Sequence, residues 1–195
     1  MTEPKPLNVT QEGNHRVFVG LGWDPNENVG LKDKALNTLG LKDIHHDLDL
    51  SCYIYDANKR YISHVSHEVG READQTGKIY HSGDNTKGIG DGDDEQISVE
   101  LKELDETLHI IVFKASIKTG HTFDQVNDPE IRLVDAYSRR EFLHVPLSGL
   151  KDNQTSAFIF AALIRATDGW QVKHIGEFID TPADGNWAET LKSYI

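Results

Sequence analysis

Thirteen residues, Gly83-Asp-Asn-Thr-Lys-Gly-Ile-Gly-Asp-Gly-Asp-Asp-Glu95, hold the densest chemistry in this chain. They contain five carboxylates (Asp84, Asp91, Asp93, Asp94 and Glu95), the amide of Asn85, and glycines at 83, 88, 90 and 92, with Lys87 as the single counter-charge. Two like charges 4 Å apart repel by about 1 kcal/mol in bulk water and several-fold more near a protein surface. Carboxylates brought together at this density therefore call for a cation. Oxygen donors on a chain that glycine lets bend sharply suit Ca²⁺, which takes about 6–8 oxygens. Mg²⁺ keeps its waters and demands octahedral geometry, so a dense all-protein cage suits it less. Gly88 and Gly90 add backbone carbonyls that can turn inward as ligands. The expected metal ligands here are Asp84, Asn85, Gly88, Gly90, Asp91, Asp93, Asp94 and Glu95, and the expected cofactor is Ca²⁺.

The loop departs from the familiar metal and phosphate motifs. Counting Asp84 as position one puts Glu95 at position twelve of an EF-hand, but Ile89 then stands where the sharp turn requires glycine. Gly83 and Gly88 have P-loop spacing, yet Ile89 follows where a P-loop needs lysine. The glycine–aspartate pattern is a single copy, and β-roll nonapeptides must stack.

A second acidic feature wants the same charge. In Asp47-Leu-Asp-Leu-Ser51 the two aspartates are spaced i, i+2, which on a strand places them on one face about 7 Å apart. Asp47 and Asp49 then line the face opposite Leu48, Leu50, Cys52 and Ile54, where they can share one cation or serve two. Asp24, closing Gly20-Leu-Gly-Trp-Asp24, is a further contributor.

The elements that must position these groups are mostly strands. Val17, Val19 and Leu21 alternate, as do Leu48–Ile54 and Ile97, Val99 and Leu101. Leu108–Ile117 and Ser156–Ala166 are near-continuous apolar runs and read as strands buried on both faces. Arg60–Val65, Lys78–His81, Ile131–Tyr137, Glu141–Leu147 and Trp170–Phe178 are further strands. Turn signals recur between them at roughly 10–15-residue spacing, which favours a β-sandwich over a βαβ fold. Two short helices are expected, Lys32–Leu39 and Asn186–Tyr194, the latter capped by Asp184-Gly185. The prediction is an all-β chain, a β-sandwich of two sheets with one or two short helices, forming a single domain over residues 1–195. Asp24–His46 and Glu68–Glu95 are its long functional loops.

Composition removes several function classes. The chain has 195 residues and a formal net charge of −12, with 37% hydrophobic residues. That charge repels nucleic acid and anionic lipid, so no nucleic-acid partner is expected. No 18-residue apolar run exists, so no membrane insertion is expected. Met1–Leu7 lacks the apolar core of a signal peptide, and a cytoplasmic location is expected. Cys52 is the single cysteine. It excludes an intramolecular disulfide and reads as a small core residue.

The ordered series Gly20-Leu-Gly-Trp-Asp24, Asp47-Leu-Asp-Leu-Ser51, His81-Ser-Gly-Asp-Asn85, Gly90-Asp-Gly-Asp-Asp-Glu95 and Phe123-Asp-Gln-Val-Asn127 with Ile131-Arg-Leu133 resembles the TerD family of tellurium-resistance and stress proteins. The likeness continues through Ala157–Arg165 and Gly169–Gly176 and covers most of the chain. It implies a β-sandwich that binds Ca²⁺ through acidic loops. By position the family's metal-binding aspartates fall on Asp24, Asp47, Asp49, Asp84, Asp91, Asp93 and Asp94, with Asn85 and Glu95 adjacent. The implied partners are other proteins of a tellurite-resistance operon, one of them membrane-embedded, together with self-association. The implied location is the cytoplasm, including the inner face of the membrane.

Other groups read as structural. The chain has ten histidines. His64 and His67 are three apart and face opposite ways on a strand, and the set reads as surface or structural imidazoles. A hydrolase built around His46 and His81 has no nucleophile motif such as Gly-x-Ser-x-Gly to serve it. Asp180, Asp184 and Glu189 are expected to cap and solvate the last helix, and Arg132, Arg139 and Arg140 to lie on solvated strand edges. Two function classes remain. The first is a non-enzymatic Ca²⁺-binding sensor or scaffold subunit of the stress response. The second, suggested by the wider family, is a metal-dependent binder of cyclic nucleotides or a hydrolase. The lack of a nucleophile–base set favours the first.

Overall fold

Alternation along Leu48–Tyr55 sends Leu48, Leu50, Cys52 and Ile54 inward, all fully buried. Asp49, Ser51 and Tyr53 therefore stand on the opposite face of the strand. The structure, a computed structural model, describes residues 2–11, 13, 15–26, 30, 38–39, 45–88, 92–150 and 152–195. Its strands are β1 (Lys5–Pro6), β2 (Arg16–Asp24), β3 (Leu48–Tyr55), β4 (Tyr61–Val65), β5 (Ile79–His81), β6 (Glu95–Glu100), β7 (Ile110–Ile117), β8 (Asn127–Asp135), β9 (Glu141–Pro146), β10 (Ala157–Ala166) and β11 (Gly169–Ile179). A helix, α1 (Trp187–Lys192), follows the last strand.

Two antiparallel sheets form a sandwich, ordered β1-β11-β10-β7-β3-β4 and β5-β6-β2-β8-β9. The expected all-β sandwich is the observed fold. Between the sheets lies a core that includes Leu21, Leu50, Cys52, Ile97, Phe113 and Phe160. Tyr55, Val112, Ile159 and Ile175 form a second apolar cluster with Leu191 of α1, on the outer face of the six-stranded sheet. That helix is the reason β7 and β10 read as apolar on both faces. It is docked by Tyr55 Oη donating to Ala188 O at 2.8 Å and by Lys173 Nζ donating to Tyr194 O at 2.7 Å.

Several boundaries differ from the sequence pattern. The C-terminal helix is capped by Asn186, whose side chain accepts from Glu189 N–H, rather than by Asp184-Gly185. β8 begins four residues earlier than the apolar run, because Asn127–Glu130 continue its pairing with β2 and β9. β1 is a two-residue strand containing proline, too short for any periodicity to reveal. The expected helix Lys32–Leu39 lies outside the described residues except for Thr38 and Leu39.

Candidate metal centre

The edges β3–β4 and β5–β6 of the two sheets meet on one side of the sandwich. β4 pairs with β3 only from Cys52 to Tyr55, and Val65 opposite Cys52 is its last residue. The β3 segment before Cys52 is thus left without β4 beside it. Glu95, the first residue of β6 in the other sheet, fills that position: its Oε2 accepts Leu50 N–H at 2.6 Å.

Around Glu95 the structure gathers Asp49, His67 and Asp84. One ligand atom from each of the four lies within 4.8 Å of the others. Asp49 comes from β3, His67 from the turn after β4, and Asp84 from the loop after β5. Glu95 is fully buried, Asp49 and His67 are half-buried, and Asp84 is exposed. Asp47 sits just before β3, and its charge acts on both Asp49 and Asp84.

Two imidazoles flank the carboxylates. Lys118 donates to His67 Nε2 at 2.9 Å, which leaves Nδ1 to carry the ring hydrogen. That Nδ1 lies 3.0 Å from Asp49 Oδ1, off the line of a hydrogen bond. His81 Nδ1 accepts from Gly83 N–H at 3.1 Å, so its Nε2 is the protonated nitrogen and faces Glu95 Oε2 at 3.3 Å. With Nε2 of His67 accepting from Lys118, the donors left for a cation are chiefly the carboxylate oxygens, with both rings close beside them.

Burial raises the Asp49 carboxyl above its ordinary range, against the opposing pull of His67, Lys118 and Lys114. It raises Asp47 as well, helped by the charges of Asp49 and Asp84. Glu95 is also raised by burial, although the facing His81 imidazole and the hydrogen bond from Leu50 N–H oppose the shift. Asp47 Oδ1, Asp49 Oδ1 and Glu95 Oε1 are buried with no hydrogen-bond partner. A buried acceptor left unpaired costs roughly 1–3 kcal/mol, and more when it is ionised. Orphaned carboxylate oxygens on Asp49 and Glu95, which converge with Asp84, and on neighbouring Asp47 fit a hard divalent cation in donor type and in charge.

The rest of the acidic loop is engaged elsewhere. Arg132 holds Asp93 in a two-pronged pair, Nε to Oδ1 at 2.8 Å and Nη2 to Oδ2 at 3.1 Å, and reaches Glu141 at 2.9 Å with Nη1. Asp94 accepts from Trp23 N–H at 2.9 Å and from Asn85 Nδ2 at 2.7 Å. Asn85 Oδ1 in turn accepts from the N–H groups of Lys87 and Gly88. Gly88 has φ +61°, and a Cβ there would fall 2.5 Å from the Trp23 ring. Its glycine is required by this packing. Asp24 is exposed at the end of β2, where its charge acts on Asp94. Gly90 and Asp91 lie outside the described residues.

Of the expected ligands, then, the structure brings Asp49, Asp84 and Glu95 together with Asp47 beside them. It places Asp93, Asp94, Asn85 and Gly88 in hydrogen bonds and packing that shape the loop. Two residues were read differently in the sequence. His67 is not a strand residue, because β4 ends at Val65, so the argument from opposite strand faces does not reach it. Arg132 is not a solvated edge residue but the clamp on Asp93.

A family model described as TerD domain matches residues 3–184. The chain is 34% identical over 179 residues to "Tellurium resistance protein TerX" of Serratia marcescens, with 83% of each covered. It is 29% identical to "General stress protein 16U" of Bacillus subtilis (strain 168), covering 87% of this chain and 84% of that one. A crystal structure of a homologue of the telluride resistance protein from Streptomyces coelicolor A3(2) superposes with TM-score 0.72 at 23% identity, over 92% of this chain and 98% of that one. Among the described residues no helix is long and apolar enough to cross a membrane.

Proposed function

This chain belongs to the TerD family of tellurium-resistance and stress-response proteins, and from that premise we propose that it is a non-enzymatic Ca²⁺-binding subunit of the stress response. One observation carries the reading: Asp49, Asp84 and Glu95 converge from three elements and both sheets, with orphaned carboxylate oxygens on Asp47, Asp49 and Glu95. Asp49, Asp84 and Glu95 would hold the ion, with Asp47 adjacent. The ion supplies positive charge that offsets the mutual repulsion and desolvation of these groups.

The residues themselves determine what such a site can signal. Glu95 ties β6 to β3, and Asp84 belongs to the loop that Asn85, Asp94 and Trp23 knit to the end of β2. The order of this loop and the seam between the sheets therefore depend on how the carboxylates are neutralised. That dependence suits a calcium-dependent sensor or scaffold that other proteins of a tellurite-resistance operon read at the cytoplasmic side. Direct thiol chemistry suits the chain poorly, since its single cysteine, Cys52, is fully buried and burial pushes the thiol well up.

Calorimetric titration of chelator-treated protein tests the reading. Saturable Ca²⁺ binding, well ahead of Mg²⁺, is expected. A flat isotherm in millimolar Ca²⁺ would remove it.

A further inference from the structure

On the outer face of the six-stranded sheet, next to the metal centre, is a polar hollow of about 170 Å³. Ser51, Ser66, Lys114, Ser116 and Trp187 line it, and it shares Asp49 and His67 with the cluster. Strand register builds it. Ser51 pairs across from Lys114 and Asp49 across from Ser116, so the four side chains stand together on one face.

Two of its buried polar groups lack a charged or hydrogen-bonding partner of their own. Lys114 is only 5% exposed, donates to Ser116 Oγ at 2.8 Å, and lies 4.4 Å from the Trp187 ring centroid. Among the described residues it forms no ion pair. The Ser51 hydroxyl, also 5% exposed, has no hydrogen-bond partner. Ser66 Oγ accepts from Glu68 N–H at 3.3 Å, which leaves its own hydrogen to donate. The charges of Asp49, Glu68 and Glu95 act on Lys114 without pairing with it. A buried ammonium with no direct ion pair is costly, and so is a buried hydroxyl without a partner. An acceptor bearing negative charge would satisfy both.

We propose that this hollow is a binding site for a small oxyanion of the size of phosphate or sulfate, held by Lys114 and Ser51, and filled when the neighbouring carboxylates hold their cation. The second clause rests on the Ca²⁺ reading and follows from the charges present. Asp49 and Glu68 also border the hollow and repel an anion until a cation offsets the cluster. The coupling is reciprocal, so the anion tightens Ca²⁺ binding by the same factor. The hollow is small beside ordinary small-molecule sites, which run to about 300–1,000 Å³, and matches a small anion.

Methyl phosphate, followed by phosphorus NMR and calorimetry, is the probe. In each sample the Ca²⁺ isotherm is recorded before the ester is added. Saturable binding to the Ca²⁺-loaded wild type is expected, weaker by about tenfold or more in chelator. Lys114→Met should lose about tenfold or more of the methyl phosphate affinity. It should still bind Ca²⁺ saturably, and at least as tightly, because a positive charge beside Asp49 is removed. Ser51→Ala should lose several-fold of the methyl phosphate affinity. No binding to the Ca²⁺-loaded wild type, or wild-type affinity in both variants, overturns the oxyanion site and leaves the cation reading standing. A flat Ca²⁺ isotherm in the wild type overturns the cation reading and the coupled site with it. If Lys114→Met is misfolded by circular dichroism, Ser51→Ala decides, and unchanged affinity there overturns the site.

Discussion

Glu95 in one sheet accepts the backbone N–H of Leu50 in the other at 2.6 Å, and both residues are fully buried. One oxygen of this carboxylate completes the hydrogen bonding of β3, while its second oxygen has no partner. Structure and ligand chemistry thus meet in one side chain, and substitutions can separate them.

Glu95→Gln keeps a carbonyl for Leu50 N–H and removes the charge. Its Ca²⁺ affinity should fall by about tenfold or more, while the ion-free protein melts within a few degrees of wild type. Glu95→Ala orphans the Leu50 N–H and should lose about 1–3 kcal/mol of stability as well. Calorimetry and urea denaturation of the two variants check the distinction.

Asp49→Asn tests the strand contribution. Affinity for Ca²⁺ should drop about tenfold, or about 1.4 kcal/mol, and the rise in melting temperature on adding Ca²⁺ should shrink. For the wild type, Ca²⁺ at a hundredfold its dissociation constant stabilises by about 2.7 kcal/mol, a shift of several degrees at roughly 2–4 °C per kcal/mol. Arg139→Ala, far along the chain at a turn after β8, should leave the isotherm unaltered.

The strand pair and the acidic loop were legible in the sequence because both signals are local. Period-2 alternation put Asp47 and Asp49 on one face, and glycine-spaced carboxylates marked Asp84–Glu95. What joined them was not legible. The meeting of Asp49 with Glu95 depends on β4 stopping at Val65, and the role of His67 depends on the same early stop. The Asp93–Arg132 pair depends on β2 lying between β6 and β8, which brings residues 39 positions apart into contact. Strand order and strand ends are tertiary outcomes that no single-strand pattern encodes. Lys114 and Ser51 were hidden for the same reason, since only the β3–β7 register sets them side by side.

Asp93 and Arg132 should behave as a structural pair. Asp93→Ala and Arg132→Ala are each expected to lose about 1.5–3 kcal/mol, as for hydrogen bonds to charged groups. A double-mutant cycle should show a coupling of at least about 0.5 kcal/mol. Asp93→Ala should weaken Ca²⁺ binding much less than Asp49→Asn does.

Asp135 supplies a pH signature away from the site. Burial pushes its carboxyl up, but hydrogen bonds from the N–H groups of Ser138, Thr10 and Tyr137 outweigh this and hold it down to about 2. A carboxyl depressed in the folded state contributes stability that is present above its unfolded value of about 3.9 and is lost as pH falls through the folded one. The stability gap between wild type and Asp135→Asn, measured by urea denaturation, should be widest above about pH 5 and close toward about pH 2. A gap that does not change with pH would contradict this role.

Crystals grown with Ca²⁺ and examined for anomalous scattering test the central claim most directly. An ion held by Asp49, Asp84 and Glu95 oxygens at about 2.3–2.6 Å is the expected result. Saturating Ca²⁺ with no ion at these three carboxylates, or an ion bound only elsewhere on the chain, would contradict it.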